Sequence, residues 1–134
     1  MSKGYLLDTS ALLAYMEKEA GDERVKSILK AEKAFIPWTA LAELYYITHR
    51  KNGEAVAEFR YAILKRTGAH IIWQADETIL ISVGRIKATH RVSFTDALIA
   101  SYAIKYNAIL VHKDPEYEAL NDKVEMEALP YKND

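Results

Sequence analysis

The sequence predicts an α/β fold in which helices cover both faces of a short parallel sheet, giving three layers. Short, fully apolar runs such as residues 5–7 and 108–111 are typical of strands that are buried on both faces. Stretches of about 10–15 residues with helical periodicity separate these runs. Parallel strands need crossovers of about that length, so the alternation favours a parallel sheet.

The first half of the chain alternates strands and helices with recognisable signals at the helix ends. Thr9 and Ser10 are suited to cap the first helix, because their hydroxyls can accept from its free backbone N–H groups. The second helix is amphipathic, with Val25 and Ile28 on its apolar side. Pro37 is suited to open the third helix, since its fixed φ matches a first helical turn. The predicted elements are strand 5–7, helix 11–15, helix 22–31, strand 34–36, helix 39–50 and helix 53–65.

Capping residues also mark the second half of the chain. Asp76 is suited to cap a long helix that carries Ile79 and Val83 on its apolar side. Ser93 is suited to cap the next helix, and Asn107 to end it, because asparagine tolerates the left-handed conformation. The predicted elements are strand 70–73, the helix after Asp76, helix 97–106, strand 108–111, a short helix 114–120 and a last strand 124–129.

Length and composition restrict the function. The 134 residues suit a single domain spanning 1–134, and half of them are hydrophobic. The absence of cysteine excludes disulfides, thiolate metal sites and thiol catalysis. No apolar run is long enough to span a membrane, and the N-terminus lacks a signal peptide, so we expect a soluble, cytoplasmic protein. The formal net charge of −1 argues against nucleic-acid binding through overall charge and leaves a local basic patch open.

Four carboxylates stand at positions where ligands bind in parallel sheets. Asp8 and Asp114 follow predicted strands, and such sheets bind ligands at the carboxyl ends of their strands. Glu43 lies within a helix that offers it no basic partner, and Asp96 begins a helix with a buried stripe. Each has an ordinary structural alternative as a turn residue, a helix cap or an exposed acid.

Taken together, the four acids predict a metal site if the fold brings them to one pocket. Crowded carboxylates raise one another's pKa unless a cation neutralises them. Oxygen ligands without histidine or cysteine suit Mg²⁺ or Mn²⁺, the ions that support phosphodiester hydrolysis.

Four segments, in order, resemble the PIN-domain nucleases of the VapC toxin type. Residues 5–15 (YLLDTSALLAY) resemble the opening of that family, and residues 93–100 (SFTDALIA) its third acidic motif. Residues 37–44 (PWTALAEL) resemble the second motif, and residues 108–117 (AILVHKDPEY) the fourth. The match spans most of residues 4–120 and implies a PIN-like fold.

The resemblance implies a role for each acid and for several neighbours. Two positions depart from the family pattern, because His112 stands where threonine is common and Asn107 where glycine is frequent. We expect Thr9, Ser10 and Ser93 to orient the acids. The implied catalytic and metal-binding residues are Asp8, Glu43, Asp96 and Asp114.

Two further groups are candidates for contacts with other molecules. Basic residues near the third and fourth motifs could meet an RNA backbone, although a solvated helix end explains some of them equally well. These candidate RNA contacts are Arg85, Lys87, Arg91, His112 and Lys113. Aromatic residues could form a dimer or partner surface, although core packing accounts for some: Trp38, Tyr45, Tyr46, Phe59 and Tyr61.

The leading hypothesis is a Mg²⁺- or Mn²⁺-dependent ribonuclease, the toxin of a VapBC-like toxin–antitoxin pair, with an antitoxin partner and a homodimer expected from the resemblance. A PIN nuclease in RNA processing or quality control remains the main alternative. A phospho-signalling receiver domain would have paired acids after the first strand, where this chain has Asp8 alone. A PIN-like binding module is disfavoured by the four intact acids, and nucleotide binding by the lack of a glycine-rich loop.

Overall fold

The residues that the structure describes fold around a sheet of five parallel strands. The computed structural model describes residues 3–30 and 33–132. The strands lie in the order β3-β2-β1-β4-β5, and each adjacent pair is parallel. The predicted α/β class with a parallel sheet is confirmed. The strands are β1 (Tyr5–Leu7), β2 (Ala34–Pro37), β3 (His70–Ile72), β4 (Ile109–His112) and β5 (Met126–Ala128).

Helices fill the connections between the strands. Two helices follow each of the first three strands, and a short 3₁₀ helix, Pro115–Leu120, joins β4 to β5. The predicted pattern of strands and helices is therefore confirmed element by element. The α-helices are α1 (Thr9–Met16), α2 (Asp22–Lys30), α3 (Trp38–Asn52), α4 (Glu54–Lys65), α5 (Glu77–Thr89) and α6 (Phe94–Lys105).

The direction of the connections reverses at β1, which lies between β2 and β4. The chain steps one way across the sheet from β1 to β3, and then crosses back to β4 and β5. Because parallel crossovers are right-handed, the two directions place their helices on opposite faces. The result is the predicted three-layer arrangement. The carboxyl ends of β1 and β4 flank the crevice where ligands bind in sheets of this kind.

The start of α1 differs from its prediction. The cap is Asp8, whose Oδ1 accepts the Ala11 backbone N–H at 2.8 Å, whereas Thr9 and Ser10 lie in the first helical turn. The prediction that Thr9 and Ser10 cap this helix was wrong, because the carboxylate one position earlier already accepts the free N–H. The two hydroxyls are consequently available to other partners.

Other helix ends follow the predicted signals, with shifts of one to three residues. Asp76 and Ser93 cap α5 and α6, each accepting a backbone N–H at 3.1 Å. Asn107 adopts the expected left-handed conformation, with φ 50°. Trp73 lies beyond the end of β3, where it is exposed to solvent. Residue Ala31, predicted as the end of the second helix, lies outside the described residues.

We expect the central strands to dominate stability. Leu110 in β4 is 0% exposed, so truncating it to alanine should lower the free energy of unfolding by about 2–5 kcal/mol. Leu80 on α5 is 66% exposed, and Leu80→Ala should change it by no more than about 0.5 kcal/mol. Urea denaturation of both variants tests this difference, and equal effects would contradict the observed packing.

Candidate active site

Two of the predicted acids meet where β1 and β4 end. Asp8 directly follows β1, and its backbone N–H donates to the Val111 carbonyl of β4 at 3.2 Å. Asp114 lies just beyond the end of β4, at the start of the 3₁₀ helix. Because β1 and β4 are parallel neighbours, both acids lie at the same edge of the sheet.

The Asp8 carboxylate is buried, with 3% of the residue exposed. Its Oδ1 accepts the Ala11 N–H, and the Ser10 hydroxyl lies 2.8 Å from each of its oxygens. Burial raises the pKa of Asp8 to about 7, because it disfavours the charged form more than these hydrogen bonds favour it. The nearby charge of Asp96 adds to this increase.

Ser10 connects the two strand ends. Its hydroxyl oxygen accepts the Lys113 backbone N–H at 2.8 Å while the hydroxyl proton points toward Asp8. One side chain therefore holds the end of β4 against the acid that ends β1. The sequence predicted a contact between Ser10 and an acid, but not this link between strands.

Glu43 reaches the site from α3, which packs against α1. The Thr9 hydroxyl donates a short hydrogen bond to Glu43 Oε1. Thr9 is buried and Glu43 is half-buried, so this contact holds the glutamate beside the first turn of α1. The sequence predicted that Thr9 orients an acid, and the acid it contacts is Glu43.

Asp96 lies within electrostatic reach of the other three predicted acids. Burial raises its pKa to about 6, and the charges of Asp114 and Glu43 contribute to the increase. Its charge also raises the pKa of Asp8. Its position depends on Ser93, whose Oγ accepts the Asp96 backbone N–H and thereby caps α6. The structure thus brings together all four acids that the sequence singled out.

A fifth acid, Glu116, was not identified from the sequence. Asp96, Asp114 and Glu116 each offer a carboxylate oxygen, and these atoms lie within 4.8 Å of one another. The Glu116 backbone N–H donates to Asp114 Oδ1 at 3.0 Å, in the first turn of the 3₁₀ helix. The available signal was an acid two positions after Asp114, at the start of a short helix.

The donor set fits a hard divalent cation. All the candidate ligands are carboxylate oxygens, which Mg²⁺ and Mn²⁺ prefer. Among the described residues, the buried Tyr117 hydroxyl makes no hydrogen bond of normal geometry, although the Asp96 carboxylate lies close enough to affect its pKa. Raised carboxylate pKa values and an unpartnered buried hydroxyl are both expected where a cation and its waters complete a site.

The residues predicted to contact RNA lie in different environments. The Lys87 ammonium donates to the Val92 carbonyl at 2.7 Å, and the Lys113 ammonium to the Ala20 carbonyl at 2.9 Å. Arg91 is exposed. Arg85 lines a cavity of about 700 Å³ along α5, whose lining includes none of the four acids.

His112 is buried, so its position gives no support to a direct contact with RNA. Its Nδ1 accepts the Asp114 backbone N–H at 3.2 Å. Its ring packs against that of Tyr117, with 5.0 Å between the ring centroids. Through these two contacts, His112 helps to hold the backbone of Asp114 in position.

The raised pKa values predict a pH dependence for the metal-free protein. Between about pH 4 and 7, folded Asp8 holds a proton that the unfolded chain has released, so the free energy of unfolding should fall by a few kcal/mol as pH rises. Asp96 should also lower the free energy of unfolding as pH rises, up to about pH 6. The ion-paired Glu19 and Glu127 have lowered pKa values. Their contribution to the free energy of unfolding is therefore lost only as pH falls below about 4.5.

Urea denaturation in the presence of a chelator, repeated across this pH range, measures the effect. Asp8→Asn should flatten the profile, whereas Glu54→Gln, a change at an exposed acid on α4, should leave its slope unchanged. A wild-type slope that persists in Asp8→Asn would assign the pH dependence to other groups.

Comparisons with known proteins agree with this architecture. The sequence model of the PIN domain matches residues 5–123. No curated protein matches the chain significantly. None of the described helices is long and apolar enough to cross a membrane.

Solved structures with a similar fold include toxin–antitoxin proteins. VapBC2 from Rickettsia felis, solved with a promoter DNA fragment, has a TM-score of 0.76 at 20% identity, covering 94% of this chain and 98% of that one. DNA-bound VapBC from Salmonella typhimurium has a TM-score of 0.74 at 19% identity, with 95% and 98% covered. VapC20 from Mycobacterium tuberculosis, described as a sarcin–ricin loop cleaving toxin, has a TM-score of 0.70 at 17% identity, with 87% and 94% covered. Because the family model matches most of its length, the chain belongs to the PIN domain family.

Proposed function

We propose that the protein is a Mg²⁺- or Mn²⁺-dependent endoribonuclease and the toxin of a VapBC-type toxin–antitoxin pair. The observation that carries this proposal is the group of acids around Asp96 at the carboxyl edge of the sheet. Asp96 lies within electrostatic reach of Asp8, Glu43 and Asp114. Membership of the PIN domain family supports a nuclease.

The acids would hold the cation, and their neighbours would keep them in place. Asp8, Asp96 and Asp114 offer oxygens from three different elements, and Glu43 adds a fourth from α3. When bound, a divalent cation lowers the pKa of a water and offsets negative charge on a phosphate.

Substrate binding should depend on the cation for an electrostatic reason. The acids by themselves repel a phosphodiester, and the chain has a formal net charge of −1. Two divalent ions would bring this to about +3, with the added charge concentrated at the site. Basic residues such as Arg91 could then add attraction, which should weaken as salt rises.

RNA is the substrate that the comparisons favour. The structurally similar VapC20 is a sarcin–ricin loop cleaving toxin, and this similarity supports RNA as the substrate of the present chain. Single-stranded or looped RNA fits best, because a shallow pocket at a sheet edge must reach one phosphate without a second strand in the way. Such a function would place the protein in the cytoplasm.

Partners follow from the same comparisons. The similar VapBC structures are toxin–antitoxin complexes, so we propose a cognate antitoxin that covers the acidic edge. An arginine or lysine from that antitoxin could replace the charge of the cation among the carboxylates.

An exposed aromatic surface supports a homodimer. Trp38, Tyr45, Tyr61 and Trp73 line an apolar groove of about 710 Å³, which we call the aromatic groove. Trp73 is 56% exposed there. Burial of large aromatic side chains contributes strongly to association, so a second copy of the chain is the proposed occupant.

Loss of the central acids should abolish RNA cleavage. Asp8→Asn and Asp96→Asn each remove a proposed ligand, so the cleavage rate should fall by more than the roughly 10–100-fold typical of changes outside the ligand set. Cleavage of matched RNA and DNA oligonucleotides with Mn²⁺, with Mg²⁺ and with chelator measures the rate, and Glu54→Gln is the control. If Asp8→Asn cleaves RNA as fast as wild type in Mn²⁺, the proposed site is wrong.

The homodimer makes a separate prediction. Trp73→Lys places a charge in the aromatic groove and should convert dimers to monomers in sedimentation experiments, because a buried unpaired charge opposes association. Leu80→Lys, at an exposed apolar residue outside the groove, should leave the dimer intact. A wild-type chain that sediments as a monomer at high concentration would contradict the homodimer.

A further inference from the structure

Tyr117 places an uncharged hydrogen-bond donor inside the acidic site. It lies one turn of the 3₁₀ helix after Asp114, and its backbone N–H donates to the Asp114 carbonyl at 3.2 Å. Residues three apart lie on the same side of a 3₁₀ helix, so the ring follows the direction of Asp114. The residue is 0% exposed, and its ring packs against His112.

The hydroxyl of Tyr117 makes no hydrogen bond of normal geometry with any residue that the structure describes. It nevertheless lies close enough to the Asp96 carboxylate for each group to shift the pKa of the other. Burial raises the pKa of the tyrosine most strongly, and the charges of Asp8, Asp96 and Glu43 add to this increase. Burying a hydroxyl without a partner is unfavourable, so a tyrosine that served only to fill this space would be less favourable than phenylalanine.

We propose that Tyr117 is a positioning residue whose hydroxyl donates a hydrogen bond to the Asp96 carboxylate when that carboxylate holds a cation. The inference rests on the proposed metal site. A carboxylate that gives one oxygen to a cation keeps a second oxygen that can accept a hydrogen bond. Such outer hydrogen bonds fix the orientation of ligands in metal sites. A neutral donor provides this support without adding a positive charge that would compete with the cation.

Replacing Tyr117 with phenylalanine distinguishes this role from simple packing of the ring. If the ring alone matters, phenylalanine at this position should preserve every property of the site. If the hydroxyl orients Asp96, its removal should weaken cation binding while leaving the metal-free fold as stable as before, or more so, because an unpartnered buried polar group disappears. The two roles therefore predict different responses to one substitution.

The test compares Tyr117→Phe with wild type and with Tyr131→Phe. Tyr131 packs against the same histidine, with 6.1 Å between ring centroids, and its hydroxyl lies beside Glu118. Isothermal titration with Mn²⁺ should show binding about 10–100-fold weaker for Tyr117→Phe. Tyr131→Phe should bind as wild type does. The melting temperature of Tyr117→Phe in chelator should equal or exceed that of wild type.

A spectroscopic measurement reports on the hydroxyl directly. Addition of Mn²⁺ should change the near-ultraviolet tyrosine difference spectrum of wild type and of Tyr131→Phe, and the change should be absent from Tyr117→Phe.

The outcomes separate this inference from the function on which it rests. Wild-type protein that binds no Mn²⁺ would overturn the metal site and the inference with it. Wild-type binding that is unchanged in Tyr117→Phe would overturn only the inference. A lower melting temperature of metal-free Tyr117→Phe would assign Tyr117 a structural role and would also overturn the inference.

Discussion

The Asp8 carboxylate lies buried between the ends of two central strands, and much of the surrounding structure compensates for that burial. A buried carboxylate is unfavourable unless it is protonated, hydrogen-bonded or paired with positive charge. Hydrogen bonds from the Ala11 N–H and the Ser10 hydroxyl provide part of this compensation. The described structure places no cationic side chain in hydrogen-bond or ion-pair contact with Asp8, so its pKa remains raised, and a bound cation is the partner that would restore its charge.

The order of strands explains why this acid has acidic neighbours. β1 lies at the position where the direction of the connections reverses, so helices from the two faces of the sheet meet at the end of β1. Glu43 lies on α3 and Asp96 on α6, and Asp114 follows the end of β4 beside Asp8. Repulsion among these groups opposes folding of the metal-free chain, and the polar contacts of Thr9 and Ser10 hold the acids together against it.

The residues that hold Asp114 in place include His112, which departs from the expected family pattern. His112 stands where the resemblance to the family led us to expect threonine, and its Nδ1 accepts the Asp114 N–H. This hydrogen bond places the proton of the neutral ring on Nε2. Burial lowers the pKa of His112, which favours that neutral form. Aromatic packing against Tyr117 and Tyr131 completes the support, so the departure changes how Asp114 is held and leaves the acid itself in place.

The sequence by itself determined the order of elements, the parallel sheet and the four acids, because these depend on local signals. Apolar runs, caps such as Asp76 and Ser93, and left-handed Asn107 act over a few residues. Even so, Asp8 caps the first helix in place of the predicted Thr9 and Ser10, because aspartate suits that position equally well.

Only the tertiary structure decided which side chains share the site. Thr9 contacts Glu43 across 34 positions, and Ser10 contacts Lys113 across 103. Exposed Glu116 joins Asp96 and Asp114 because the 3₁₀ helix turns beside α6. The hydroxyl of Tyr117 lies among the acids for the same reason. Distances of this kind depend on how whole elements pack, and neither spacing nor residue type along the chain contains them.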